Sequence, residues 1–187
     1  MSLINKLIDI IYNIATGSKI IKILIAPIAG LLYAAIVLAL FVILPIKLDM
    51  LLDIPKFPSK PLNLILSLPF IIIGLFFWLW SILNFLKVRG TPVPFYPPPR
   101  LVTSGPYARV RNPMLTGIFI MFFGIGIFFR SILTTFVSVP LFIFLISLQI
   151  KLIEEPELIK RLGNDYIEYR KRTPMFIPRI GSRSKIS

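Results

Sequence analysis

Between Lys22 and Lys47 the chain runs 24 residues without a charged side chain, and between Lys60 and Lys87 it runs 26. A helix rises about 1.5 Å per residue and a bilayer's hydrocarbon is about 30 Å thick, so about 20 apolar residues make a crossing. Two further uncharged stretches follow, 18 residues over 112–129 and 20 over 131–150. The last just fits a crossing, and the one before it is short and begins Asn112-Pro113. Only Phe129-Arg130-Ser131 joins them, which predicts a tight helical hairpin; two half-buried helices are the alternative. The expectation is an all-α membrane protein, one membrane domain over 1–187, with about four transmembrane helices at 23–46, 61–86, 112–129 and 131–150. Pro27, Pro69 and Pro140 fall inside spans and predict kinks. Membrane helices tolerate these where neighbours satisfy the freed carbonyls.

Charge orients this arrangement. Only 16% of residues are charged and 56% are apolar, against about 25% and 45–50% in soluble domains. With a cytoplasmic N-terminus and alternating spans, 17 of the 21 Lys and Arg lie on the cytoplasmic side and 4 outside. The positive-inside rule then predicts a multi-pass protein of the cell membrane with both termini cytoplasmic. The net charge of +13 flanks apolar spans, so its expected partners are membrane lipids with anionic headgroups, not nucleic acid. There is no histidine and no cysteine. This removes the commonest general base, the commonest metal ligand and any thiolate, and no metal site is expected. Chemistry is left to carboxylates, arginines, lysines, tyrosines, hydroxyls and backbone.

The segments outside the spans differ in character. Over 1–17, Leu3, Leu7, Ile10, Ile11 and Ile14 form one helical stripe, and Asn5, Lys6, Asp9 and Asn13 fall opposite. Ser2 suits the start and Gly17 the end of an amphipathic helix lying in the interface; a packed core helix is the alternative. Lys47 to Lys60 reads as an outside loop stiffened by Pro55 and Pro58, with Pro61 following. Residues 87–111 form a rigid cytoplasmic loop, because Gly90 to Arg100 carries too many prolines for a helix or central strand. Ser104 to Pro106 is a turn. Arg109 and Arg111 precede Asn112, a helix cap, and Pro113, a first-turn residue, so free N–H groups there suit an anion. Two arginines marking the membrane boundary is the plainer reading.

Glu154, Glu155 and Glu157 gather three of the eight acidic residues at the end of the last span. Facing Arg109 or Arg111 they would make a polar cluster at headgroup level; otherwise they are solvated charges before a new helix at Pro156. Residues 157–172 read as one broken helix or a helix pair, interrupted at Gly163-Asn164. Thr173 to Arg179 reads as an extended apolar strap, and 181–187 as a basic tail.

The order Gly105-Pro106-Tyr107-Ala108-Arg109-Val110-Arg111-Asn112-Pro113-Met114, then Gly117, Glu154-Glu155, Tyr166 and Tyr169, and Pro174 with Pro178, resembles the isoprenylcysteine carboxyl methyltransferase and phospholipid methyltransferase group of membrane enzymes. Gly90 to Phe95 is similar to its prokaryotic members. The likeness covers residues 89–179, about half the chain. The resemblance implies bound S-adenosyl-L-methionine between the cytoplasmic ends of the last two spans and a covering segment at 151–180. It implies a cofactor site at Gly105, Tyr107, Asn112, Pro113, Met114, Gly117, Glu154, Glu155, Tyr166 and Tyr169, with Glu155, Arg111 and Arg109 as catalytic residues. Asn112 stands where a histidine is common, which keeps hydrogen bonding without titration. Leu115 stands where a tyrosine is usual, which removes one hydroxyl.

The implied reaction is methyl transfer to a lipophilic small-molecule or lipidated acceptor entering sideways from the bilayer. A prenylcysteine-type carboxylate needs no base, whereas a phospholipid amine must lose a proton, and the missing histidine leans toward the former. Two other classes stand beside this reading: an NADPH-dependent membrane reductase of the sterol or enone type, and a non-catalytic lipid-binding protein. Gly74, Gly117, Gly124 and Gly126 would let helices approach closely.

Overall fold

A computed structural model describes residues 3–16, 19–87 and 101–179, and among these the regular structure is helical throughout. Helix α1 is Leu3–Thr16. Helix α2 (Lys19–Leu38) passes through a π-helical turn at Ala39–Ile43 into α3 (Leu44–Leu51). Helix α4 is Leu62–Lys87 and α5 is Pro113–Phe128. A second π turn, Leu133–Ser138, leads into α6 (Val139–Gln149), and a third, Ile150–Glu154, leads into α7 (Glu155–Leu162). Gly163, at φ +59, breaks the chain before α8 (Asn164–Arg172).

Each π turn ends two residues before a proline: Pro45, Pro140 and Pro156. A proline cannot donate to the carbonyl four residues back, and its ring presses on that carbonyl. Widening the preceding turn relieves the clash without ending the helix. For Pro45 the displaced carbonyl is that of Phe41, and the Ser138 hydroxyl donates to it at 2.8 Å. A hydroxyl from a neighbouring helix thus serves a backbone group that proline leaves unpaired.

Ile28–Leu51, Leu62–Leu86 and Leu133–Leu162 are long and apolar enough to cross a membrane, whereas Pro113–Phe128 is a shorter apolar helix. At 16 residues, α5 is about 24 Å long, less than the hydrocarbon thickness. The first span, expected at 23–46, continues past Lys47 to Leu51, so the loop starts later than the charges suggest. The last, expected to stop at residue 150, runs on to Leu162, because a π turn absorbs Pro156 instead of a new helix starting there. Charges end a hydrophobic stretch but not a helix whose backbone bonds continue. Ser2, Gly17, residues 88–100 of the Pro-rich loop, and the 181–187 tail lie outside the described residues.

The α4–α5 seam is a backbone contact. A Cβ on Gly74 would stand 2.6 Å from the Gly117 carbonyl, and one on Gly117 would stand 2.7 Å from the Gly74 carbonyl. Gly124 closes the same seam against Phe70 and Ile71. Beside it, Phe142 of α6 gathers Phe41, Phe119 and Phe122, with centroids 4.7–5.6 Å apart. Outward, Leu31, Ile65 and Phe76 are 72%, 63% and 58% exposed, an apolar surface suited to lipid.

A Schellman motif ends α5. Arg130 takes the left-handed position at φ +60, Ser131 N–H donates to Gly126 O, and Arg130 N–H donates to Ile127 O. The Arg130 guanidinium donates to the carbonyls of Pro58 at 2.7 Å and Lys56 at 3.3 Å. Asn63, at the start of α4, donates to Phe128 O. At the other end of α4, Asn84 packs against Gly105, and α1 meets α7 through Asp9 and Lys160 at 2.8 Å. Among the described residues, three long helices and the shorter α5 therefore run between these two ends.

Candidate active site

Gly105 opens the polar end with a conformation that glycine favours, at φ +59, and a Cβ there would lie 2.6 Å from Asn84 Oδ1. The backbone then turns through Gly105–Ala108 and buries Pro106 and Tyr107. The Tyr107 ring meets Phe85 edge-on at 5.0 Å, with Ser81 as a side-chain hydrogen-bond partner. Burial pushes the Tyr107 and Tyr169 phenols up. The Tyr169 hydroxyl donates to Tyr107 O at 2.7 Å, pinning α8 to this turn.

The strap of residues 173–178 completes the frame. Arg111 N–H donates to Pro174 O at 2.8 Å and Asn112 N–H to Met175 O at 3.0 Å. Phe176 packs on Phe119 at 5.1 Å. Asn112 does not cap α5 with its side chain; its carbonyl instead accepts from the Thr116 N–H and hydroxyl. Pro113, buried, takes the first turn as expected.

This frame carries Arg111 to Glu155. Arg111 Nη1 donates to Glu155 Oε1 at 2.6 Å and to the Tyr166 hydroxyl at 3.1 Å. Arg170 Nη1 donates to the other oxygen, Oε2, at 3.0 Å. The Arg111 and Glu155 side chains are only 11% and 8% exposed, whereas Arg170 is 40% exposed. Burial works against the Arg111 charge, but Glu155 and Tyr166 more than offset it, and its pKa ends above the usual value. Burial raises the Tyr166 phenol to about 12, although Arg111 pulls it down. Arg111 Nε is buried with no hydrogen-bond partner among the described residues.

Other expected site residues fall in different places. Arg109 is exposed and stands outside this network. Glu154 and Met114 are half-buried beside it. Gly117 sits one helical turn deeper, in the α4–α5 seam against Gly74 and Trp78. Arg170, Asn84 and Ser81 were not singled out from sequence. The signal for Ser81 and Asn84 was two polar residues three apart near the end of a largely apolar span. Arg170 had no signal beyond being one more cation near the terminus.

The phospholipid methyltransferase family model matches residues 62–165, more than half of the chain. The chain belongs to the phospholipid methyltransferase family. Methanethiol S-methyltransferase of Crocosphaera subtropica is 35% identical over 89 residues, 48% of this chain and 33% of the relative. The nickel-cobalt-cadmium resistance protein NccN of Alcaligenes xylosoxydans xylosoxydans is 31% identical over 80 residues, 43% of this chain and 37% of the relative. The chain thus spans about a third of the length of these curated relatives. No solved structure matches. The family model takes in the α4–α5 seam, Gly105, Arg111 and Glu155, and stops just before Tyr166.

Proposed function

We propose that the protein transfers a methyl group from S-adenosylmethionine to a lipophilic acceptor, with Arg111 and Glu155 at the centre of the site. The observation that carries this is the buried Arg111–Glu155 pair at 2.6 Å, held where the family motifs meet. The donor set fits the cofactor's amino-acid end. A guanidinium with an unpartnered Nε suits a carboxylate, and Glu154 and Glu155 suit an ammonium or sulfonium. S-Adenosylmethionine supplies an electrophilic methyl on a cationic sulfur. Arg111 would hold the cofactor's carboxylate, Glu155 would keep Arg111 in place, and the Tyr107–Tyr169 latch would exclude water.

Tyr166, raised to about 12, stays protonated at working pH and acts as a hydrogen-bonding group, not a base. An acceptor that arrives already ionised needs none, so a prenylcysteine-type carboxylate fits most simply. A small thiol joins the candidates through the name of the Crocosphaera relative, and a phospholipid amine through the name of the family. The Arg111 end, with both termini, would face the cytoplasm. The family match favours this reading over the reductase and the non-catalytic one. No group of three or more acidic residues that could hold a metal occurs among the described residues.

Calorimetry on the detergent-purified protein tests the proposal. Saturable binding of S-adenosylmethionine and S-adenosylhomocysteine, weakened in Arg111→Ala, is expected. Binding of NADPH with neither adenosyl compound binding would sink it. A panel of prenylcysteine, aminophospholipid and small thiol then identifies the acceptor by methyl incorporation.

A further inference from the structure

Arg111 is closed off where it stands. Its side chain is 11% exposed and that of Glu155 is 8%, and Arg111 Nε is buried. A methyl donor whose carboxylate is to meet this guanidinium therefore needs one of the surrounding walls to move. Three walls are fixed. Helices α4 and α5 meet backbone to backbone at Gly74 and Gly117. The Gly105–Ala108 turn is keyed into α4, with Asn84 against Gly105 and Ser81 on Tyr107. Helix α7 continues a membrane-crossing helix through the Ile150–Glu154 turn.

The fourth wall is α8 with the strap, and it is held differently. Its ties to the body are mainly hydrogen bonds: Tyr169 hydroxyl to Tyr107 O, Arg170 to Glu155, and the Pro174 and Met175 carbonyls to the N–H groups of Arg111 and Asn112. Water can replace such partners one for one, which it cannot do for packed backbone. The wall is joined to α7 at Gly163, whose φ of +59 and ψ of −134 belong to a region that glycine alone occupies readily. A Cβ at Gly163 would meet nothing within 4 Å, so no neighbour braces this joint.

We infer that α8 and the strap form one cover hinged at Gly163, which lifts to admit S-adenosylmethionine to Arg111 and closes over it through the Tyr169 latch. This rests on the proposed reading of the site. Lifting frees the Arg111 guanidinium from Tyr166 and opens Nε to the donor's carboxylate. Closing returns Tyr169, 3% exposed, to the Tyr107 carbonyl and shuts water out.

Amide hydrogen exchange on the detergent-purified protein, resolved at Arg111 and Asn112, reads the cover without any ligand. These two N–H groups are held by strap carbonyls, so they should exchange faster than the amides of the α4–α5 seam. Tyr169→Phe removes the latch on α8 and leaves the strap's own bonds in place. If the two move as one, it should speed both amides by about three- to tenfold, the loss of one hydrogen bond. Unchanged exchange in Tyr169→Phe, or native Arg111 and Asn112 amides as protected as the seam, overturns the inference. Stopped-flow binding of S-adenosylhomocysteine then reads passage. The chain has no cysteine, so Phe119→Cys with Phe176→Cys, at rings 5.1 Å apart, can be bridged by a short bifunctional methanethiosulfonate. Against the reduced double variant, the bridge should slow association and dissociation alike by at least about tenfold and leave Kd nearly unchanged. Rates that the bridge does not alter overturn the hinged cover. Should no adenosyl compound bind the native protein, the proposed function fails and amide exchange alone judges the cover.

Discussion

Glu155 holds two arginines that are not equivalent. Arg111 is buried with it, so Glu155→Ala leaves a buried cation unpaired and should cost about 2–4 kcal/mol. Arg170 is 40% exposed, and Arg170→Ala should cost no more than about 1 kcal/mol. Chemical denaturation of the three proteins in one detergent measures both, and equal costs would show that Glu155 does not depend on its buried partner. Tyr166 adds a pH signature. Its folded pKa of about 12 lies above the ordinary 10.0, chiefly through burial. Its contribution is therefore complete below pH 10 and is lost as pH rises toward 12. Base denaturation of the native protein should begin earlier than that of Tyr166→Phe, and coincident curves would remove Tyr166 from the balance. The Arg111–Glu155 pairing was legible as a proposal in the sequence, because three carboxylates end one span at the level where Arg109 and Arg111 begin another. The choice of Arg111 over Arg109 was not, because it depends on which of two nearby side chains the turn and strap direct inward.

Between elements, glycine and hydroxyl side chains do what charge does at the site. In the α4–α5 seam a methyl on Gly117 meets backbone at 2.7–2.8 Å, at Gly74 O and Trp78 N. Backbone cannot step aside as a side chain does, so Gly117→Ala should destabilise by about 1–3 kcal/mol. Its effect on adenosyl binding should be indirect and should vanish at low temperature, where the fold is intact. A tenfold loss of binding in fully folded Gly117→Ala would instead make Gly117 a cofactor contact, as the sequence resemblance implied. Ser138→Ala removes the donor to Phe41 O and should cost about 0.6–2 kcal/mol. Pro45→Ala should reduce that cost in the double variant, because it restores an N–H four residues on. Thermal unfolding of the two single variants and the double variant measures the coupling. Helix existence was legible from uncharged runs. Helix ends were not, because prolines that read as kinks or starts are absorbed by π turns, which depend on neighbours the sequence does not reveal.

Across the whole molecule, the paths of the helices and the placement of charge support one another. Residues near Asn84, Arg111 and Lys160 share one end, and Lys56, Asn63 and Arg130 share the other. An amphipathic α1 touches α7 through Asp9 and Lys160, which brings these two helices to the same end. Because α5 is only about 24 Å long, the bilayer would have to thin beside it, or its ends lie within the protein, where the strap and Arg130 satisfy its terminal backbone groups. The chain holds no cysteine, so single-cysteine variants report on sidedness without background. In intact cells, Lys56→Cys should react with a membrane-impermeant maleimide, and Glu168→Cys, on exposed α8, should react only after permeabilisation. Labelling of both positions in intact cells would place the two ends on the same side and rule out four crossings. The reverse pattern would keep the four passes but put Arg111 and Glu155 outside, away from any cytoplasmic supply of S-adenosylmethionine, and so remove the basis of the proposed reaction.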